Sequence, residues 1–302
     1  MHLEPALRAR AIAAYATICV VWGTTFLAIS YALRGGLPPF ACAALRFLAS
    51  GLAVYAWLRL RSPRPLAGIP LGRVAFSGVL LLGGGNGFTV WAQQGVPSGI
   101  TALLVASAPV AVMLVNWLGF DRKVPAPWAL VGALVGLGGV ALTLTHLHLA
   151  TGGTRPAHLA SLLLAIFCWA IGSMVVRGHV RPERIGAAVC VQMLAGAATL
   201  IGLGFIAGDW ARLQWAAVSP LAWWSVAYLA VFGSIIAMNC YLWLLGHMAP
   251  QKVATYALVN PIVALALGAW LLAEPLSGTV FVAMALVLAG ITLVLMQGRG
   301  RA

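Results

Sequence analysis

Ser107-Ala108-Pro109-Val110 and Val259-Asn260-Pro261-Ile262 lie 152 residues apart, and reading one against the other decides the fold. Each proline sits within an apolar run of about 20 residues, the length a helix needs to cross the hydrocarbon of a bilayer. The same shift carries Phe88-Thr89-Val90-Trp91 onto Cys240-Tyr241-Leu242-Trp243 and Gly138 onto Gly290 without a gap. Nearer the start of each copy the offset shrinks: Trp22 pairs with Trp169, and Leu48-Ala49 with Leu194-Ala195. The chain is therefore an internal duplication, with units near 1–150 and 151–302.

Composition names the solvent of these runs. The 302 residues are 62% hydrophobic and 8% charged, with a mean hydropathy of +0.99. A soluble domain carries about 25% charged residues to keep its surface wet, so lipid must be the main solvent here. Backbone groups in lipid have to be satisfied within the segment. Runs of about 20 residues, without ten-residue alternation, make those segments helices and not barrel strands.

Pro, Gly and Arg punctuation marks ten spans, roughly 11–33, 39–60, 73–92, 98–120, 126–147, 157–177, 183–206, 221–246, 251–272 and 277–297. The third and fourth are the hardest to separate, because only Trp91 to Ser98 lies between them. Of the 18 Lys and Arg, the loops opposite the termini hold only Arg34, Arg155 and Arg212, and Arg46 lies within the second span. All the others fall on the side of the termini, which the positive-inside rule makes cytoplasmic. The formal charge of +13 is thus topology information. No segment forms the basic face that nucleic acid requires.

Five spans per unit is an odd number, so the second unit enters the membrane upside down. The expected fold class is an all-α integral membrane protein of ten transmembrane helices in two inverted five-helix repeats, both termini cytoplasmic. Inverted repeats of this kind build carriers with a site between the halves that opens to each side in turn.

Short motifs agree with that reading. Val21-Trp22-Gly23-Thr24-Thr25-Phe26 lies in the first span, Ala44-Leu45-Arg46-Phe47 in the second, and Leu272-Ala273-Glu274-Pro275-Leu276-Ser277 between the ninth and tenth. With Pro109 and Pro261 they give the whole chain a pattern that resembles the EamA-type exporters of the drug/metabolite transporter superfamily. The resemblance implies an inner-membrane exporter of small metabolites with a central cavity. Its Trp-rich helices point to the aromatic amino-acid and methyl viologen branch. Amino acids are the leading cargo and organic cations, drugs or nucleobases the alternative. The partners are that small molecule and the lipid bilayer, and a monomer is compatible. At the place aligned with Glu274 the first unit has Asp121-Arg122 without a following Pro, so no role of Glu274 carries over to it.

Polar and aromatic side chains at membrane depth are the candidate site. The expected substrate-binding set is Trp22, Asn86, Trp91, Trp169, Gln192, Asn239, Trp243, Tyr256 and Asn260. Aromatic faces would hold apolar groups or organic cations, and amides the polar groups of the cargo. The competing role for each amide is a hydrogen bond between helices, worth about 1 kcal/mol in a membrane. Trp57, Trp128, Trp210, Trp215 and Trp223, near span ends, read as interfacial anchors. Pro109 and Pro261 each remove a backbone hydrogen bond at equivalent places and are candidate hinges. Gly83-Gly84-Gly85 with Gly87, and Gly132 with Gly136, read as sites of close helix approach.

Arg46 is the one cation at membrane depth. It can snorkel outward, form a structural ion pair with Glu274, which topology also puts outside, or grip a substrate carboxylate. Its nearness to the outer boundary favours the structural pair.

Absences narrow the function. Glu4, Asp121, Glu183, Asp209 and Glu274 are the only acids, all in loops or at span ends. Ion-coupled carriers commonly keep a carboxylate at depth, so facilitated export is expected. No GxxxxGK[ST] motif provides for ATP. Cys19, Cys42, Cys168, Cys190 and Cys240 lie in apolar runs without a CxxC and read as small buried hydrophobes. His146, His148 and His158 form a loose group with no carboxylate beside it, so neither a metal nor another cofactor is expected. The same lack of convergent acids, bases or ligands argues against an enzyme. A channel would show rings of charge or filter-like carbonyl loops.

Overall fold

The computed structural model describes residues 5–120, 122, 124–151, 156–248, 253, 255–274 and 276–296. Ten apolar helices account for almost all of it. They are α1 (Pro5–Arg34), α2 (Pro39–Arg61), α3 (Leu71–Ala92), α4 (Ser98–Gly119) and α5 (Pro127–Thr151), then α6 (Pro156–Val176), α7 (Ile185–Ile206), α8 (Pro220–Leu244), α9 (Tyr256–Leu272) and α10 (Gly278–Met296). The short connection between the third and fourth spans is real: α3 stops at Ala92 and α4 starts at Ser98. Large apolar side chains such as Leu134, Phe205 and Trp270 stay exposed on the outer faces, as lipid contact requires.

The helices pack across the two repeats more than within them. α2 lies along α7 and α5 along α10, each helix against its own counterpart. α1 packs on α8 and α9, and α6 packs on α3 and α4. Exchanging each helix for its counterpart in the other repeat leaves this scheme unchanged, as a pseudo-two-fold relation demands. The α5–α10 contact is backbone to backbone. A Cβ on Gly290 would sit 2.5 Å from the Gly132 carbonyl oxygen, so this pair closes only with glycine there.

Irregular backbone also occurs where no proline predicts it. Helices α3 and α8 each contain an eight-residue π-helical stretch, Val79–Asn86 and Leu229–Ile236, and neither stretch holds a proline. Such wide turns shift side chains around the helix and tend to mark functional sites. Pro109 stands in the first turn of a new helical segment, Ala108–Gly119, after a break at Ala106-Ser107. A missing N–H costs nothing there. Pro261, in contrast, is buried inside α9. The two prolines match in sequence but occupy different backbone settings.

Two carboxylates, one buried and one half-buried, cap helices of the opposite repeat. Asp209 is fully buried, accepts from the Phe40 and Ala41 amides at 2.7 and 3.3 Å, and pairs with Arg212 at 2.7 Å. It so satisfies the orphan donors and positive end of α2. Glu274 does the same for α4, accepting from the Ser98 amide at 2.8 Å, the Ser98 hydroxyl at 2.7 Å and the Gly99 amide at 3.0 Å. Ala273 takes a left-handed conformation (φ 53°) to turn the chain out of α9 and aim this carboxylate.

Candidate functional site: a cavity between the repeats

A cavity of about 710 Å³ lies between the two repeats. It reaches from Thr25, Phe26 and Ile29 of α1, past the aromatic cluster at mid-depth, to Pro125, Arg177 and Pro182 in the loops after α4 and α6. A second hollow of about 520 Å³ lies on the other side, beside Ser30, Gln93 and Glu274. Ile29 lines the first and its neighbour Ser30 the second, so different faces of α1 border the two hollows.

The aromatic cluster is centred on Trp22. Its ring meets Tyr256 at 4.8 Å, Tyr241 at 5.2 Å and Trp169 at 6.3 Å between centroids, mostly edge to face, the arrangement ring quadrupoles prefer. Both repeats contribute, since Trp22 and Trp169 are the matched tryptophans of α1 and α6. The Trp22 Nε1 donates to the Gly233 carbonyl, 3.2 Å away in the π stretch of α8.

On the far side of Gly233 stands Arg46. It is 4% exposed and lines the cavity. Its Nε donates to the Ser234 hydroxyl at 2.7 Å and its Nη1 to the Asn86 side-chain oxygen at 3.5 Å. Its guanidinium also lies over the Phe47 ring, 4.7 Å from the centroid. Ser234 donates in turn to the Leu229 carbonyl five residues back, at 3.0 Å, which leaves its lone pairs to the guanidinium. Glycine at 233 is what makes room, because a Cβ there would come within 3.0 Å of Nη2.

The expected Arg46–Glu274 ion pair is therefore not formed. α2 packs on α7 and α8, while α9, which leads to Glu274, packs on α1 and α4. Each residue finds partners among its own neighbours, and neither turns to the other.

Of the nine expected substrate-binding residues, Trp22, Asn86, Trp169, Gln192, Tyr256 and Asn260 line the cavity. The remaining three do not. Trp91 packs on the His158 ring, 4.8 Å between centroids. Trp243 stacks on His247 at 4.2 Å. Asn239 turns its amide back to the Ile235 carbonyl at 2.8 Å. Asn260, with its nitrogen facing carbonyls, donates to Tyr256 and Cys19 at 3.3 and 3.2 Å. Gln192 donates to Ser77 at 2.9 Å, and its oxygen has no partner among the described residues. Tyr241 was absent from the expected set, although it aligns with Thr89 in a matched segment. Its place in α8 beyond the π stretch turns it towards Trp22.

No group of three metal-ligating side chains occurs among the described residues. The side chains of His146 and His148 lie outside them.

Ten helices in two exchange-related repeats, with a shared aromatic and polar cavity, define a multi-pass membrane protein of the carrier type. The chain belongs to the EamA-like transporter family, whose model matches residues 9–145 and 157–296, one match per repeat. It is a transporter of the inner membrane and not an enzyme. It is 34% identical over 279 residues to the inner membrane transporter YedA of Escherichia coli K12, covering 91% of this chain and 87% of that one. It is 26% identical over 283 residues to a probable amino-acid metabolite efflux pump of Salmonella typhimurium, covering 91% of each. A solved crystal structure aligns with a TM-score of 0.66 at 21% identity, over 97% of this chain and 99% of that one. That likeness concerns the fold alone.

Proposed function

We propose that this protein exports amino acids, aromatic ones among them, by alternating access of the central cavity, downhill and without ion coupling. The observation that carries the proposal is the cavity itself. One wall is aromatic, the other presents a guanidinium and amides, and the space suits a small amphipathic molecule. The probable amino-acid metabolite efflux pump of Salmonella typhimurium, similar over 91% of this chain, supports the substrate class.

With the termini cytoplasmic, the cavity reaches the cytoplasmic loops, and the layer around Phe26, Ile29 and Ala102 closes it outward. Glu274, holding the start of α4 to the end of α9, acts as an outer latch. Among the described residues the cavity wall holds no carboxylate, which favours facilitation over proton or sodium coupling.

Counterflow in proteoliposomes tests this. Preloaded unlabelled phenylalanine should stimulate entry of labelled phenylalanine, with no accumulation under an imposed proton gradient. Counterflow of organic cations without any of amino acids would overturn the substrate class. Accumulation that depends on the proton gradient would overturn facilitation.

A further inference from the structure

We infer that Arg46 is the anchor for a carboxylate on the transported molecule, so that the cargo enters the site as a monoanionic group followed by an apolar or aromatic body. The inference deepens the proposed function and rests on its reading of the cavity as the substrate site.

Charge balance is the first argument. A buried cation without a counter-charge is strongly unfavourable, and intramembrane examples mark function. Arg46 is buried, yet its described partners are all neutral: a hydroxyl, an amide oxygen and a phenyl face. The described carboxylates are committed or distant. Asp209 caps α2 and pairs with Arg212, Glu274 caps α4, and Glu183 lies in the exposed turn before α7. Among the described residues no negative charge lies around this group.

Geometry is the second. A guanidinium has five N–H donors in a rigid fork. Ser234 takes Nε and Asn86 one donor of Nη1. The remaining donors have no acceptor among the described residues, and Arg46 lines the cavity. A carboxylate is the planar acceptor that fits such a fork. One guanidinium at this depth matches a single negative charge, whereas a phosphate monoester brings nearly two.

The third is placement. Gly233 lies between the guanidinium and Trp22, whose ring opens onto Trp169 and Tyr256. A molecule held by its carboxylate at Arg46 would lay its body against this cluster. The same cation repels a positively charged cargo, which sets organic cations without a carboxylate outside the selected class.

The test is binding, independent of transport. Protein in lipid nanodiscs is titrated with 3-phenylpropanoate and with 3-phenylpropanamide, its neutral isostere, by saturation-transfer difference NMR against empty nanodiscs. Wild type should prefer the acid at least tenfold. In Arg46→Gln the two should fall within twofold while the amide keeps its wild-type affinity, which also certifies the fold. Arg46→Lys, which keeps the charge but not the fork, should lower the preference severalfold. Equal binding of acid and amide by wild type overturns the inference, as does an undiminished preference in either variant. Tighter binding of phenyl phosphate than of the acid also overturns it. If phenylalanine counterflow fails while the acid preference stands, the amino-acid reading falls and the role of Arg46 is supported.

Discussion

Helices α2 and α7 hold equivalent places in the two repeats and lie along each other, yet they bring different chemistry to the cavity. The overlay of Leu48-Ala49 on Leu194-Ala195 puts Gln192 on Arg46. Each reaches a serine of the helix on its other side: Arg46 donates to Ser234 of α8, Gln192 to Ser77 of α3. The scaffold is thus repeated while the charge is not. A duplicated cation would have placed two like charges on one cavity, where they repel. One repeat supplies the cation and the other an amide whose oxygen has no partner among the described residues. The site is polarised although the fold is two-fold.

Gly78→Val should have the largest effect. A Cβ at Gly78 would lie 2.5 Å from the Cα of Gln192, backbone that cannot yield. The expected outcome is loss of folded, monodisperse protein in size-exclusion chromatography, well beyond the about 1–3 kcal/mol of ordinary overpacking. A normally folded Gly78→Val protein would break the account of how α3 seats α7.

Next comes the exchange Arg46→Gln with Gln192→Arg. If the site lies between the two positions, the exchanged protein should recover part of the acid preference that Arg46→Gln alone loses. Recovery of severalfold in the same NMR titration is expected, and none would place the carboxylate beyond the reach of α7.

The two serines should separate in kind. Ser234→Ala removes the partner of the buried guanidinium and should weaken acid binding by roughly tenfold, the scale of one hydrogen bond to a charged group. Ser77→Ala should cost about 1 kcal/mol of stability in a melting experiment and leave the acid preference intact. Equal effects of both on binding would remove the asymmetry.

Trp243→Phe should do least. Trp243 lies on His247 and not in the cavity, so counterflow should stay within twofold of wild type. Trp22→Phe, which loses the bond to Gly233 beside Arg46, should reduce it severalfold.

The sequence reveals the ten helices, their five-and-five grouping and much of the cavity lining, because span length and composition answer to lipid alone. Asn86, Gln192 and Asn260 stand out as polar groups at depth, and Trp22 and Trp169 as a matched pair. Two kinds of error arise beyond that. Trp91 and Trp243 are matched at the 152-residue shift yet face away, because alignment ranks positions and not the rotation of a helix about its axis. The π stretches of α3 and α8 carry no proline, so the punctuation that suggests hinges at Pro109 and Pro261 is silent about them.

Arg46 shows where the boundary lies. That it is a lone cation at membrane depth follows from the sequence, because composition and span position suffice to say so. Topology puts Arg46 near the outer boundary and Glu274 just outside it, and that nearness alone invites an ion pair. Only the tertiary structure decides that α2 meets α8 and α9 meets α4, because side-chain packing between helices sets which faces touch. That packing commits Glu274 to the amides of Ser98 and Gly99 and leaves Arg46 facing the cavity.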